Sequence, residues 1–163
     1  MKKTFLTLCG MLCFALTTLA QITPKTTPDD LFGNLMGTDI STFPEFVKEF
    51  SYGVVELGMV NIGQNKNLLG VTLEPEVGFA FYKGKLCSVS YEYKNDDVFG
   101  TLTNLLGKPR FHHSYNELLG ELYSFVWEGN MVKVTYPVFN YGKAGSQYLT
   151  IEDLAVVKQA QGK

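Results

Sequence analysis

The chain has 163 residues, 45% of them hydrophobic and 13% aromatic, with 14 Lys and Arg against 16 Asp and Glu for a net charge of −2. That balance, with the lysines scattered singly from Lys25 to Lys163, argues against the basic patch or stripe of a nucleic-acid binder, and the length suits one globular domain held by its own core. Cysteine occurs at positions 9, 13 and 87 only, so once the N-terminal run is set aside no internal disulfide can form.

Lys2 and Lys3 precede a stretch from Phe5 to Leu19 that carries no charge and is apolar apart from Thr7, Gly10, Thr17 and Thr18. A membrane-spanning helix needs about 20 apolar residues; a signal-peptide core needs about 7 to 15, followed by small residues at the cut. Thr18 and Ala20 supply those small residues, so residues 1–20 read as a signal peptide cleaved between Ala20 and Gln21, and the chain as exported, periplasmic or secreted. Cys9 and Cys13 each follow a leucine, where a lipid-acceptor cysteine needs a small residue. Cleavage also removes Lys2 and Lys3, making the net charge two units more negative. No later segment is long and apolar enough to span a membrane.

Residues 21–30, QITPKTTPDD, are polar with two prolines and read as a flexible leader to a single domain over 31–158, with a polar tail at 159–163. Thr42-Phe43-Pro44-Glu45 has capping-box spacing, and Phe43, Phe46, Val47 and Phe50 follow at helical intervals, predicting a first short helix. VVELGMVNI and LLGVTL, separated by the polar turn GQNKN, read as strands. Val77, Phe79 and Phe81 alternate, Lys83-Gly84 turns the chain, and Cys87, Val89, Tyr91 and Tyr93 alternate again, which predicts a β-hairpin with those residues on its core face and Ala80, Tyr82, Ser88, Ser90 and Glu92 on a wetter one. Asn95-Asp96-Asp97 then starts a second helix bearing Val98, Phe99, Leu102, Leu105 and Leu106 on one face, and Gly107-Lys108-Pro109 ends it. After a loop, RFHHS, a second hairpin runs LYSFVWE, Gly129-Asn130, then Val132, Val134, Tyr136 and Val138 in alternation. The wide connection FNYGKAGS leads to a last strand, QYLTI. The expected fold is α+β: an antiparallel β-sheet with two short helices packed on one face.

The run FAFYKGKLCSVSYEY, the helix end LLGKP and the strand pair FVWEGNMVKVTY together resemble small uncharacterised exported proteins of the bacterial envelope over residues 77–151. In that group a Phe-x-Gly-Lys-Leu hairpin precedes a helix ending Tyr-Gly-Lys-Pro; here Leu106 stands in place of the aromatic. The resemblance implies an exported α+β domain and brings no catalytic residue. A looser similarity, in the aromatic-rich strands and loops, is to the β-lactamase-inhibitor-protein fold, which binds an enzyme through the concave face of its sheet but usually carries disulfides.

No nucleotide, metalloprotease or hydrolase motif is present, and no cofactor is implied. His112-His113 are adjacent and point apart in an extended chain, a poor start for a zinc site even with Glu117 and Glu121 nearby. Cys87 reads as a small buried hydrophobe rather than a nucleophile. Asp29-Asp30, Glu74-x-Glu76 and Asp96-Asp97 are paired carboxylates, the last suited to a helix start and the second to a loop crest before a strand. The remaining signal is aromatic surface: Tyr82 on the wetter hairpin face, and Phe139 and Tyr141 in the glycine-rich connection, side chains that offer large contact area at small entropic cost. They point to a non-enzymatic binding or interaction module whose partner is an envelope protein or a glycan. The alternative is a carrier of a small apolar ligand held between sheet and helices by Phe43, Phe46, Val89 and Leu102.

The signal-peptide reading has a direct check. The chain produced in an exporting bacterial host is expected to start at Gln21, so intact-mass spectrometry should return the mass of residues 21–163, or that mass less one ammonia where Gln21 has cyclised; an intact Met1-Lys2 terminus on the exported form would disprove it.

Overall fold

The computed structural model describes residues 26–63, 67–68, 71–93, 97–116, 120–138 and 147–160. Strands β1 (Phe46–Tyr52), β2 (Val55–Asn61), β3 (Asn67–Leu68), β4 (Val71–Tyr82), β5 (Lys85–Tyr93), β6 (Arg110–Asn116), β7 (Gly120–Glu128), β8 (Val132–Pro137) and β9 (Gln147–Asp153) make up the sheet. Eight of them lie in the order β1-β2-β4-β5-β9-β8-β7-β6, and β3 pairs with β4 off that path. Every neighbouring pair is antiparallel. The expected α+β class therefore holds, with three short helices: α1 (Pro28–Phe32), α2 (Val98–Leu106) and α3 (Leu154–Ala160). Two meanders, β1-β2-β4-β5 and β6-β7-β8, are joined only because β9 returns to lie between β5 and β8.

Alternation puts one residue of each strand pair on a buried face. The row Phe79, Val89, Ile151, Val134 and Trp127 crosses five strands in register, and all five side chains are buried. Fully burying a side chain of this size contributes about 1.5–3 kcal/mol. Helix α2 lays Val98, Leu102 and Leu106 on this face, and α1 adds Phe32. The indole of Trp127 donates from Nε1 to the Gly107 carbonyl at 2.7 Å, pinning the end of α2 to β7 and satisfying a buried donor. At the other end of the core, Phe43 meets Phe79 edge-on at 4.9 Å and Phe46 meets Phe81 at 4.8 Å.

The second helix is found where the sequence places it, capped by Asp97, whose carboxylate accepts from Gly100 N at 2.7 Å. A Cβ on residue 100 would lie 2.1 Å from that carboxylate, so the glycine inside the helix makes room for its cap. The first helix is not formed. A 3-10 turn over Ile40–Thr42, capped by Asp39, stops at Phe43, which precedes Pro44 and is held out of the α region. The chain continues as strand β1, with Phe46 opposite Val60. Its helix-like spacing comes from a bulge between Lys48 and Phe50, which turns the normal two-residue alternation into three and puts Val47 and Phe50 on the same face.

A bulge between Ala80 and Phe81 does the same in β5: Phe81 pairs with Leu86 and Phe79 with Val89, so Leu86 and Val89 share the core and Cys87, expected there, is displaced from it. Glu74-Pro75-Glu76 is not a loop crest but an irregular stretch within β4, where the Pro75 carbonyl accepts from Ile62 N. RFHHS is strand rather than loop. Asp153 caps the unexpected helix α3 by accepting from Ala155 N and Val156 N at 2.8 and 3.1 Å, so the chain from Leu154 on is helical to Ala160.

Residues 26–30, expected within a loose leader, are tied to the domain. Thr27 and Asp30 form a reciprocal capping box that starts α1. Thr26 N donates to Leu105 O. The Asp29 carboxylate accepts three backbone N–H bonds from the β7-β8 turn, from Asn130, Met131 and Val132 at 2.7, 3.0 and 2.8 Å. Partial burial pushes its pKa up, but the three donors outweigh that and hold it below the usual carboxylate value. Replacing Asp29 by Asn should cost about 1–2 kcal/mol at pH 7, the low end applying because the group is partly solvated. Because its folded pKa is depressed, this contribution is complete above the unfolded value near 4 and is lost as pH falls through the folded one. Denaturant melts of wild type and D29N at pH 7 and pH 3 check this; an equal gap at both pH values would refute it.

Candidate binding face

The opposite face of the sheet is built from the residues one position along each strand. A single row, Val47, Met59, Gly78, Ser90, Thr150, Thr135, Val126 and Arg110, crosses all eight strands in register. Beside it runs a second row, Ala80, Ser88, Glu152, Lys133 and Glu128. Small and hydroxylated side chains in the middle of this face leave it low, and it is hollowed in two places.

The larger hollow is an open groove of about 600 Å³ over β6, β7, β8 and β9. Ser114, Ser124 and Thr150 line it with hydroxylated side chains, Leu122, Val126 and Pro137 add apolar surface, and α3 walls it with Leu154, Val157 and Lys158. Two ion pairs cross it: Lys133 with Glu152 at 2.5 Å and Arg110 with Glu128 at 2.9 Å. The first pair is the better shielded, each side chain about a quarter exposed. The Oγ1 of Thr135, also a lining residue, is buried with no hydrogen-bond partner among the described residues. The smaller hollow, about 310 Å³, lies over Gly78, Ala80, Ser88 and Ser90 and is edged by Leu57 and Met59. Hydroxyls that both donate and accept, apolar patches and fixed charges side by side suit a ligand with many polar groups spread along its length.

Of the residues singled out for partner contact, Tyr82 lies at the turn end of β4, half-buried, with the Lys83 ammonium 5.1 Å from its ring centre, and is not among the groove residues. Phe139 and Tyr141 lie outside the described residues, as do the signal peptide and Glu117. The histidines diverge as adjacent strand residues must: His112 lines the groove, while His113 stacks on Tyr123 on the core-side face, ring centres 4.6 Å apart. The carrier residues Val89 and Leu102 are fully buried, and Phe43 and Phe46 are engaged with Phe79 and Phe81.

One aromatic surface was missed because it falls in the stretch read as a loop. Phe111, His113 and Tyr115 alternate along β6, and the ring of Phe111 lies 5.6 Å from Phe125 and 6.0 Å from Tyr123. The contacts continue through Phe99 to Trp127, so a chain of rings runs from the core to the sheet edge. The period-two pattern of Arg110 to Tyr115 was the signal that could have shown it.

No family model, curated protein or solved structure matches the chain.

Cys87 is half-buried with its thiol donating to Ala80 O at 3.2 Å. Burial, then the nearby carboxylates of Asp153 and Glu152, push its pKa up to about 11, the reverse of the electropositive setting that activates a thiol. Alkylation at pH 7 should therefore be slow in the native protein and fast after unfolding, rising about tenfold per pH unit toward pH 10. Because the folded value is raised, the stability that the protonated thiol contributes is complete below the unfolded value near 9 and lost as pH rises through 11. Native labelling as fast as that of the unfolded chain would contradict the assignment.

Proposed function

We propose that this protein is an exported, non-enzymatic binding module of the bacterial envelope, and that the uncovered face of its sheet is the contact surface, with the β6-β9 groove at its centre. The observation that supports this reading most is the groove itself: a hydroxyl-lined depression with two ion pairs and a helical wall, on a sheet whose other face is packed with core. Its partner is an envelope component, protein or glycan, that lies extended across the strands. The width of the face accommodates this, since eight strands at about 4.8 Å spacing span roughly 34 Å. The carrier alternative has less support, because the side chains it would use are occupied in packing the core.

Ser124 is half-buried on the groove face, away from the core. Replacing it by Trp fills the depression without touching the buried row. The immobilised wild-type chain is expected to retain an envelope component that S124W retains at least about tenfold less well, a loss of about 1.4 kcal/mol, while the thermal midpoint stays within a few degrees. The double variant F139A/Y141A tests the contribution of the glycine-rich connection in the same experiment. Equal capture by wild type and S124W would remove the groove from the reading.

A further inference from the structure

We propose that β6 is a pairing edge through which two copies of this chain join antiparallel, β6 to β6, about a two-fold axis at His113. The two ends of the sheet differ in a way that matters for association. An exposed strand edge offers unpaired N–H and C=O groups to any other strand, and monomeric proteins guard it with bulges, charges or proline. Strand β1 is guarded: a bulge interrupts it between Lys48 and Phe50, and Lys48 is held against Glu56. Strand β6 has none of these devices along its length. It pairs with β7 through seven consecutive positions without a register shift, contains no proline, and carries its one acid or base other than histidine, Arg110, at the first position, paired with Glu128. Among the described residues no strand covers its outer edge.

The side chains of this edge are complementary to themselves. Phe111 and Tyr115 are 56% and 72% exposed and lie on the same face, four positions apart. In an antiparallel ladder centred on His113, Phe111 of one copy faces Tyr115 of the other at each end, and His112 faces Ser114. Directly opposed side chains stand about 4.5–5.5 Å apart at Cβ, close enough for ring contact. The stack from Phe125 to Phe111 would thus gain a further ring from the second copy. No acidic pair and no lysine or arginine pair is placed face to face, so the register is compatible in charge. The guarded β1 edge makes the association closed: a two-fold dimer rather than a head-to-tail filament.

A consequence follows for the groove, and this part rests on the binding reading above. Arg110, His112 and Ser114 of β6 line it, so the two-fold axis sets the grooves of both copies side by side across the seam, and a long ligand could bridge them.

The test is sedimentation equilibrium of the purified chain without ligand. Wild type is expected to show a dimer whose fraction rises with concentration. Phe111→Lys with Tyr115→Lys sets lysine against lysine at both ends and should weaken the dimer at least about tenfold. Phe111→Glu with Tyr115→Lys sets acid against base in the same register and should restore it. Circular dichroism confirms that each double variant is folded, as both positions are more than half exposed. A wild type that stays monomeric, a dimer indifferent to the double lysine, or no rescue by the Glu-Lys pair would each overturn the proposal. Failure here leaves the capture experiment with S124W unaffected, and equal capture by wild type and S124W with the dimer intact would reject the groove reading alone.

Discussion

The architecture depends on one cross-strand row: Val89 of β5, Ile151 of β9 and Val134 of β8, each with no exposed surface. The two meanders on either side have no other strand in common. The last strand is thus the piece that makes one sheet out of two, and its non-local pairing must wait for both partners. The hydrophobic burial at Ile151 and the backbone bonds on both sides of β9 act together here, since either alone would leave an exposed sheet edge in the middle of the protein.

That central position also explains why the two faces differ so much. On the core side the row through β9 is large and apolar, because α2 and α1 rest on it and close packing rewards volume. On the other side the same strands carry Ser90, Thr150 and Thr135, and among the described residues no helix crosses them; α3 only borders the groove at the end of β9. A sheet covered on one face leaves the other to water or to a partner. The proposed function and the proposed dimer both use this consequence, the first through the hollowed face and the second through the edge at which that face ends.

Small devices set the geometry of these surfaces. The bulge in β5 keeps Leu86 and Val89 in the core and removes Cys87 from it. The bulge in β1 takes Phe50 out of the core and puts it on the open face, 58% exposed. Asp29 closes over the β7-β8 turn, and Trp127 holds the end of α2, so the N-terminal segment and the helix are each fixed by a polar contact at a place where backbone groups would otherwise lack partners.

The sequence by itself determined the elements whose signals are local. Asp97, the apolar stripe of α2 and Gly107 mark a helix whose capping chemistry is complete within its own residues, and Lys83-Gly84 and Gly129-Asn130 mark turns between clear alternations. It also determined the coarse class and which face of β8 is buried, since Val132 and Val134 alternate with Lys133 and Thr135. Only the tertiary structure decided the rest. Phe46 and Phe50 look helical until β2 is available to pair with, Cys87 looks buried until a bulge shifts it, and Phe111 and His113 look like loop until β7 lies beside them. The groove belongs to the same category: Arg110, Ser124, Lys133 and Glu152 are far apart in the chain, and what brings them together is strand order, a property of long-range pairing that no local pattern encodes.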